Sequence, residues 1–276
     1  MQVIKLPTVM TPANPIVDAE FHHQRFVIQR GRVGGIWIAL AGIMVVPALL
    51  ISILYTLGTL ASPLIPSAVN VIDLSLGAMT SWLWLGIMIV AMYPVVTLIT
   101  FALAANSIRR EKTNNTWDNL RLTGLSPQQI IVGKWWASLR ALNGDHAMLI
   151  IMRFGVAGAF IMLFRDMTLT PFGLPSAWTV FPILIVITVL YGLFDASLTA
   201  ALGITGATVD VGGPIVPFML FSVRVISAVV GLVLWFLTLF AIPGGLLIIF
   251  LLTAIGFIGY AMVTWLVLRV AQHLVA

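Results

Sequence analysis

An all-α, polytopic membrane protein of about six transmembrane helices is the fold this chain predicts, and three observations carry that expectation. Of its 276 residues, 61% are hydrophobic and only 8% are charged, whereas a soluble domain is usually about a quarter charged. Six apolar runs are long enough to cross a bilayer core, which takes about 20 helical residues. Lys and Arg gather in alternate connecting segments, as they do when basic loops are retained in the cytoplasm.

Residues 1–35 are expected to form a cytoplasmic and interfacial segment, and residues 36–276 the transmembrane domain. No cleavable signal peptide is expected, because Asp18, Glu20 and the nearby arginines interrupt any apolar core. Ile16 to Gln29 mixes Ile16, Val17, Phe21, Phe26, Val27 and Ile28 with polar residues. That pattern suits an interfacial helix lying on the inner leaflet, with a solvated tail as the alternative. The spans are expected at Ile36–Leu60, Trp82–Ala105, Ala141–Phe164, Thr179–Ile204, Phe218–Phe240 and Leu246–Leu268. Pro94 and Pro182 would kink the second and fourth, which packing inside a membrane tolerates.

Lys5, Arg25, Arg30 and Arg32 precede the first span, and Arg109, Arg110, Lys112, Arg121, Lys134 and Arg140 lie between the second and third. The other side holds Asp73, the balanced Arg165 and Asp166, and an uncharged break at Pro243, Gly244 and Gly245. Both termini and the 106–140 loop are therefore expected in the cytoplasm, with the chain in the plasma or inner membrane.

The chemistry of the sequence excludes more than it offers. There is no cysteine, so neither disulfides nor thiolate metal sites are available. His22, His23, His146 and His273 lack the spacing that gathers imidazoles on one helical face. Gly31-Arg32-Val33-Gly34-Gly35 is a charged hinge rather than a phosphate-binding loop. No paired-carboxylate or Ser/His/Asp set supports catalysis. The net charge of +5 follows membrane topology rather than nucleic acid. No cofactor or nucleic-acid partner is expected, and energy-driven work would need a partner that supplies the energy.

Between spans two and three the sequence is most informative. Thr113 or Asn115 can cap a short helix over about Thr116–Leu122, ended by Gly124. Ser126 and Pro127 then read as N-cap and first position of a second helix, which carries Ile130, Ile131, Trp135 and Trp136 at headgroup level. The first helix would present Trp117, Asp118 and Arg121 to the cytosol. The pair reads as a docking element for a soluble partner, or more plainly as a charged loop that fixes topology. Asp210 to Pro214, followed by Arg224, marks a second cytoplasmic loop of the same kind.

Arg110-Glu111, Thr116, Asp118, Leu120, Thr123, Leu125-Ser126 and Gly133-Lys134 follow one run of spaced residues, and Asn14-Pro15 with Glu20 opens the chain in a matching way. In these residues the chain resembles the integral membrane permeases of ATP-binding-cassette (ABC) transporters, in the type-2 exporter class. The resemblance covers the loop, the N-terminal segment and the order of spans; the spans themselves match only in apolarity. It departs where Asn114-Asn115 replaces the usual Gly before the Thr, although Asn also tolerates left-handed backbone.

The resemblance implies a cytoplasmic coupling helix, moved by ATP binding and hydrolysis on a separate ATPase subunit. Glu111, Thr116, Trp117, Asp118, Leu120 and Arg121 would contact that subunit. It implies a second permease, identical or homologous, surrounding membrane lipids, and export of a hydrophobic or amphipathic substrate. A non-catalytic accessory subunit of a larger membrane complex is the runner-up. An ion-driven carrier is disfavoured because Asp195 stands almost alone among intramembrane carboxylates.

Arg153 in span three and Asp195 in span four lie at similar depth, so they are expected either to form an intramembrane ion pair or to line a transport pathway. Gly155 and Gly158, like Gly256 and Gly259, permit close helix contact, in the core or at a dimer seam.

Overall fold

A computed structural model of the chain describes residues 14–32, 41–61, 64–65, 77–163, 177–209, 221–222 and 245–275. These residues form α1 (Pro15–Arg32), a π-helical turn (Ala41–Val45) leading into α2 (Val46–Ala61), α3 (Ala78–Thr113), α4 (Trp117–Leu122), α5 (Pro127–Ala141), α6 (Asn143–Leu163), α7 (Ala177–Thr208) and α8 (Gly245–Val275). Among the described residues there is no strand, as the all-α expectation requires.

Four stretches among the described residues are long and apolar enough to cross a membrane: Ile43–Ala61, Met79–Thr113, Phe181–Thr208 and Thr253–Val275. They correspond to the first, second, fourth and sixth expected spans. A helix, α6, also forms where the third was expected. The fifth, 218–240, lies outside the described residues except for Phe221 and Ser222, as do Asp210 to Pro214, Arg224, Asp73, Arg165, Asp166, Pro243 and Gly244.

α3 runs through Pro94, and α7 through Pro182, without a break. The 36 residues of α3 give a length of about 54 Å at about 1.5 Å per residue, against a hydrocarbon core of about 30 Å. Its last turns, from Asn106 to Thr113, therefore extend well past the expected span.

Side-chain contacts set the direction of each helix. Tyr93 meets Asp195, and a Cβ on Gly203 would meet the carbonyl of Phe101 and the side chain of Ala104, so α3 and α7 are parallel. Tyr191 packs on Tyr260 and Thr205 bonds the Val267 carbonyl, so α8 runs the same way. Thr100 meets His146 and Tyr93 lies under Arg153, so α6 runs opposite to α3. Val209 and Gly245 consequently lie toward opposite ends of the bundle.

The C-terminal ends of α3, α7 and α8 gather at one end, where Ala104, Ile108, Ile204, Ala207, Leu268, Ala271 and Val275 form one apolar core with Ile131, Val132 and Trp135 of α5. A second core joins Val45 and Ala48 at the junction of the π-helical turn and α2, Leu85 and Met88 of α3, and Met152 in the middle of α6.

Gly155 and Gly158 serve the contact of α2 with α6: an added Cβ at Gly155 would lie 2.4 Å from Ser52, and one at Gly158 3.0 Å from the Tyr55 carbonyl. An added Cβ at Gly256 or Gly259 would meet nothing within 4 Å among the described residues. Replacing Gly155 by Ala is expected to force α2 and α6 apart and destabilise the protein by about 1–3 kcal/mol, the usual range for overpacking. Thermal unfolding in detergent checks this, with Gly256→Ala as the control that does not lower the midpoint.

Candidate functional site

Beneath the bundle, α1 and α5 lie side by side and the end of α3 rests on both. α1 begins at Asn14, whose side chain accepts from Ile16 N and donates to the Gln129 carbonyl. Pro15 follows at the first helical position, where its missing N–H leaves nothing unpaired. α5 comes so near that a Cβ on Gly133 would lie 2.9 Å from Asn14 and 3.1 Å from Ile16. Val17, Glu20 and Gln24 form the buried stripe of α1, while Phe26 and Val27 point outward. The apolar residues that suggested an interfacial helix are thus divided, and the face against protein is largely polar.

That polar face meets Lys134. Both side chains of the Glu20–Lys134 pair are almost fully buried, 3% and 2% exposed, at 3.0 Å. The ammonium has three donors, and they go to Glu20 at 3.0 Å, the Ser107 carbonyl at 2.9 Å and Glu111 at 3.3 Å. Arg110 Nη2 bridges the same two carboxylates, at 2.9 Å to Glu20 and 3.0 Å to Glu111. Gln24 donates to Glu20 and to Ser138, both at 3.0 Å, while its own buried Oε1 meets no donor among the described residues. Two carboxylates and two cations make the cluster neutral. A buried charge is tolerable when it is paired and hydrogen-bonded in this way.

From the cluster the chain turns sharply into α4. Thr116 N bonds the Glu111 carbonyl and Asn115 N the Lys112 carbonyl, which is the Schellman arrangement. Asn115 occupies its left-handed position at φ 56°, so the turn for which Gly is usual survives with Asn. The cap of α4 is Thr116 itself rather than Thr113 or Asn115, and its hydroxyl bonds the Glu111 carboxylate instead of capping the helix. Gly124, at φ 77°, follows the end of α4. Ser126 and Gln129 then close a full capping box on α5, with Pro127 at the start.

The Ile and Trp residues that suggested an interfacial position for α5 turn largely toward protein. Ile130, Ile131 and Trp135 are buried, and Trp135 Nε1 donates to the Ser197 carbonyl of α7 at 3.0 Å. A helix buried around most of its circumference belongs inside a protein core, here wedged between α1 and the ends of α3, α7 and α8. Lys112 adds another tie, donating to the Ala207 and Thr208 carbonyls, each at 3.1 Å. A cation there satisfies the free carbonyls at the C-terminus of α7 and favours its dipole.

The expected contact residues fall into two groups. Glu111 and Thr116 are bonded to each other, and Glu111 faces the cluster with 18% of its side chain exposed. Trp117 packs on the apolar core and Leu120 is half-buried. Asp118, Asn119 and Leu122 are exposed, Leu122 at 83%; the side chain of Arg121 lies outside the described residues. Arg153 and Asp195 converge on Tyr93, whose hydroxyl donates to Asp195 at 3.1 Å and whose ring lies 5.5 Å from the Arg153 guanidinium. Arg153 also covers Tyr191, at 5.0 Å.

Glu20 and Lys134 carry the cluster, yet as single charges far apart in sequence they gave no sign that they would meet. The described residues hold no group of His, Asp and Glu that would bind a metal ion. No protein-family model, curated protein or solved structure matches the chain.

Burial alone would raise the Glu111 carboxyl, but the Thr116 hydroxyl and the Lys134 and Arg110 cations outweigh it and hold it down at about 2, below the ordinary 4.5. A depressed carboxylate stabilises the fold fully above its unfolded value, and that contribution is lost as pH falls through the folded one. The unfolding midpoint should therefore drop as pH falls from 4.5 toward 2, a window set by the same shift; Glu111→Gln should remove the part of that drop due to this group. Glu20→Gln leaves Lys134 and Arg110 without their shared buried partner and is expected to cost about 3–5 kcal/mol, the range for breaking a buried pair from one side. Chemical denaturation in detergent measures it.

Proposed function

We propose that this chain is the membrane-spanning permease subunit of an ABC-class exporter, and that α4 is the element through which a separate ATPase subunit acts on it. The observation that carries the reading is the convergence of the motif. Asn14, Glu20, Arg110, Glu111, Thr116, Ser126 and Lys134 are among the residues of the resemblance, and they meet in one bonded cluster or cap the helices that enter it, while Gly133, another of them, lets α5 come close to Asn14. Such a cluster suits a lever. It fastens an exposed six-residue helix to the end of a span, and Lys112 and Trp135 tie the same body to α7.

In this reading α6 and the 218–240 segment supply the remaining two of six spans, which agrees with the opposite positions of Val209 and Gly245 in the bundle. The end that bears α4 and α5 faces the cytoplasm, in accord with the basic residues there. Both α1 and the last turn of α8 pack at that end, so both termini are cytoplasmic, in the plasma or inner membrane. A second permease, identical or homologous, and two ATPase subunits complete the transporter. Its substrate is hydrophobic or amphipathic and moves outward.

Arg153 and Asp195, held around Tyr93, act in this reading as an intramembrane polar lock between α6 and α7. Asp118, Leu120 and Arg121 supply the contact with the ATPase, while Glu111, Thr116 and Trp117 set the pose of α4.

Gentle purification from source membranes is expected to bring an ATPase with the chain. Replacing Asp118 and Arg121 together with Ala should leave the unfolding midpoint unchanged and lower ATPase recovery and substrate-stimulated turnover about tenfold, as loss of a few interface contacts would. Unchanged recovery and turnover would refute the docking role, and recovery of other membrane subunits with no ATPase would favour an accessory subunit.

A further inference from the structure

Lys112 is joined to two elements at once. Its backbone carbonyl accepts from Asn115 N in the turn that launches α4, and its half-buried side chain donates to the Ala207 and Thr208 carbonyls at 3.1 Å each. Those carbonyls belong to the last turn of α7, where a helix leaves its carbonyls without partners of its own and directs them along its axis. A lysine needed only to cap α7 would serve as well within that last turn itself. The last turn of α7 holds no basic residue. The donor comes instead from 95 and 96 positions away in the chain, and it stands next to Glu111, whose carboxylate holds Thr116 at the start of α4.

Other contacts of this end of α7 act across its flank rather than along it. An added Cβ on Gly203 would lie 2.5 Å from the Phe101 carbonyl and 3.0 Å from the Ala104 side chain, so α3 presses on the side of α7, and packed helices can slide past such a contact. Trp135 bonds the Ser197 carbonyl from α5, about three turns above the end of the helix. The Thr205 hydroxyl lies 3.0 Å from the Ala201 carbonyl of its own helix and 3.1 Å from the Val267 carbonyl of α8, which fastens α8 to the same end.

We propose that Lys112 is the positioning residue that converts a displacement of α4 into movement of α7 along its axis, with α8 carried by the Thr205 bond. The element left as reference is α6, which runs opposite to α7 and is fastened to α2 by the close contacts at Gly155 and Gly158. This role rests on the reading of α4 as the element on which a separate ATPase subunit acts.

The chain contains no cysteine, so a pair of spin labels can be placed at Val186→Cys on the exposed face of α7 and Ala147→Cys on that of α6, with the complex of the unaltered chain as the blank for labels on other subunits. Pulsed electron paramagnetic resonance on the complex purified with its ATPase reads the distance between them, without nucleotide and after trapping with ATP and vanadate. With Lys112 in place, trapping should shift that distance. Lys112→Met keeps the reach of the side chain but removes its donors, and should abolish the shift while ATPase recovery stays unchanged. Lys112→Arg keeps donors on a long side chain and should restore the shift. A shift retained in Lys112→Met would overturn the role of Lys112 and leave the ATPase reading intact. Loss of ATPase recovery in Lys112→Met would mark a purely structural cap and overturn it as well, and a wild-type complex that shows no shift would refute delivery to α7. Failure to recover any ATPase would overturn the reading of α4 itself, and the role of Lys112 with it.

Discussion

The charge-neutral quartet of Glu20, Arg110, Glu111 and Lys134, built on the buried Glu20–Lys134 pair with Arg110 and Glu111 half-buried beside it, is the constraint on which the lower half of the molecule depends. Removing two carboxylates and two cations from water costs more than a single pair usually recovers. Here the ammonium spends all three donors, and one guanidinium nitrogen serves both carboxylates. The arrangement is favourable only as a whole, so α1, the end of α3 and α5 are held in one register. An apolar contact would let these helices slide by a turn at small cost; four charges that must all find partners do not.

What the quartet holds in place is as informative as its own geometry. The Schellman turn at Asn115 begins one helical turn after it, and the bond between Thr116 and Glu111 fixes the direction in which α4 leaves. Lys112 and Trp135 extend the same rigid body to α7 through backbone carbonyls. Under the proposed reading, force applied at α4 reaches two spans through hydrogen-bonded contacts rather than through a flexible loop. Higher in the bundle Tyr93 joins Asp195 and Arg153, so polar groups that would be expensive in lipid are gathered where helices α3, α6 and α7 meet.

Local chemistry makes several elements legible in the sequence alone. Ser126 and Pro127 marked the start of α5 because capping uses only neighbouring residues, and Asn115 was a credible substitute for Gly because left-handed backbone is a property of one residue. The placement of α5 was not legible. Ile130, Ile131 and Trp135 look alike whether they face headgroups or protein, and only the ends of α3, α7 and α8, brought together from distant parts of the chain, decide that they are buried. The same holds for α1, whose apolar residues suggested an interfacial helix without showing that Val17, Glu20 and Gln24 would be the ones buried against protein.

By itself the sequence determined the class of this protein: with 61% of residues hydrophobic and 8% charged, no water-facing surface large enough for a soluble fold can be made, and helix is the local answer for backbone in lipid. It also determined the capped start of α5 at Ser126 and Pro127, since a cap is settled within a few residues. Only the tertiary structure decided that Glu20 meets Lys134 across 114 positions. Pairing at that distance depends on the path of the whole chain, and a lone charge in a sequence carries no mark of the partner that will neutralise it.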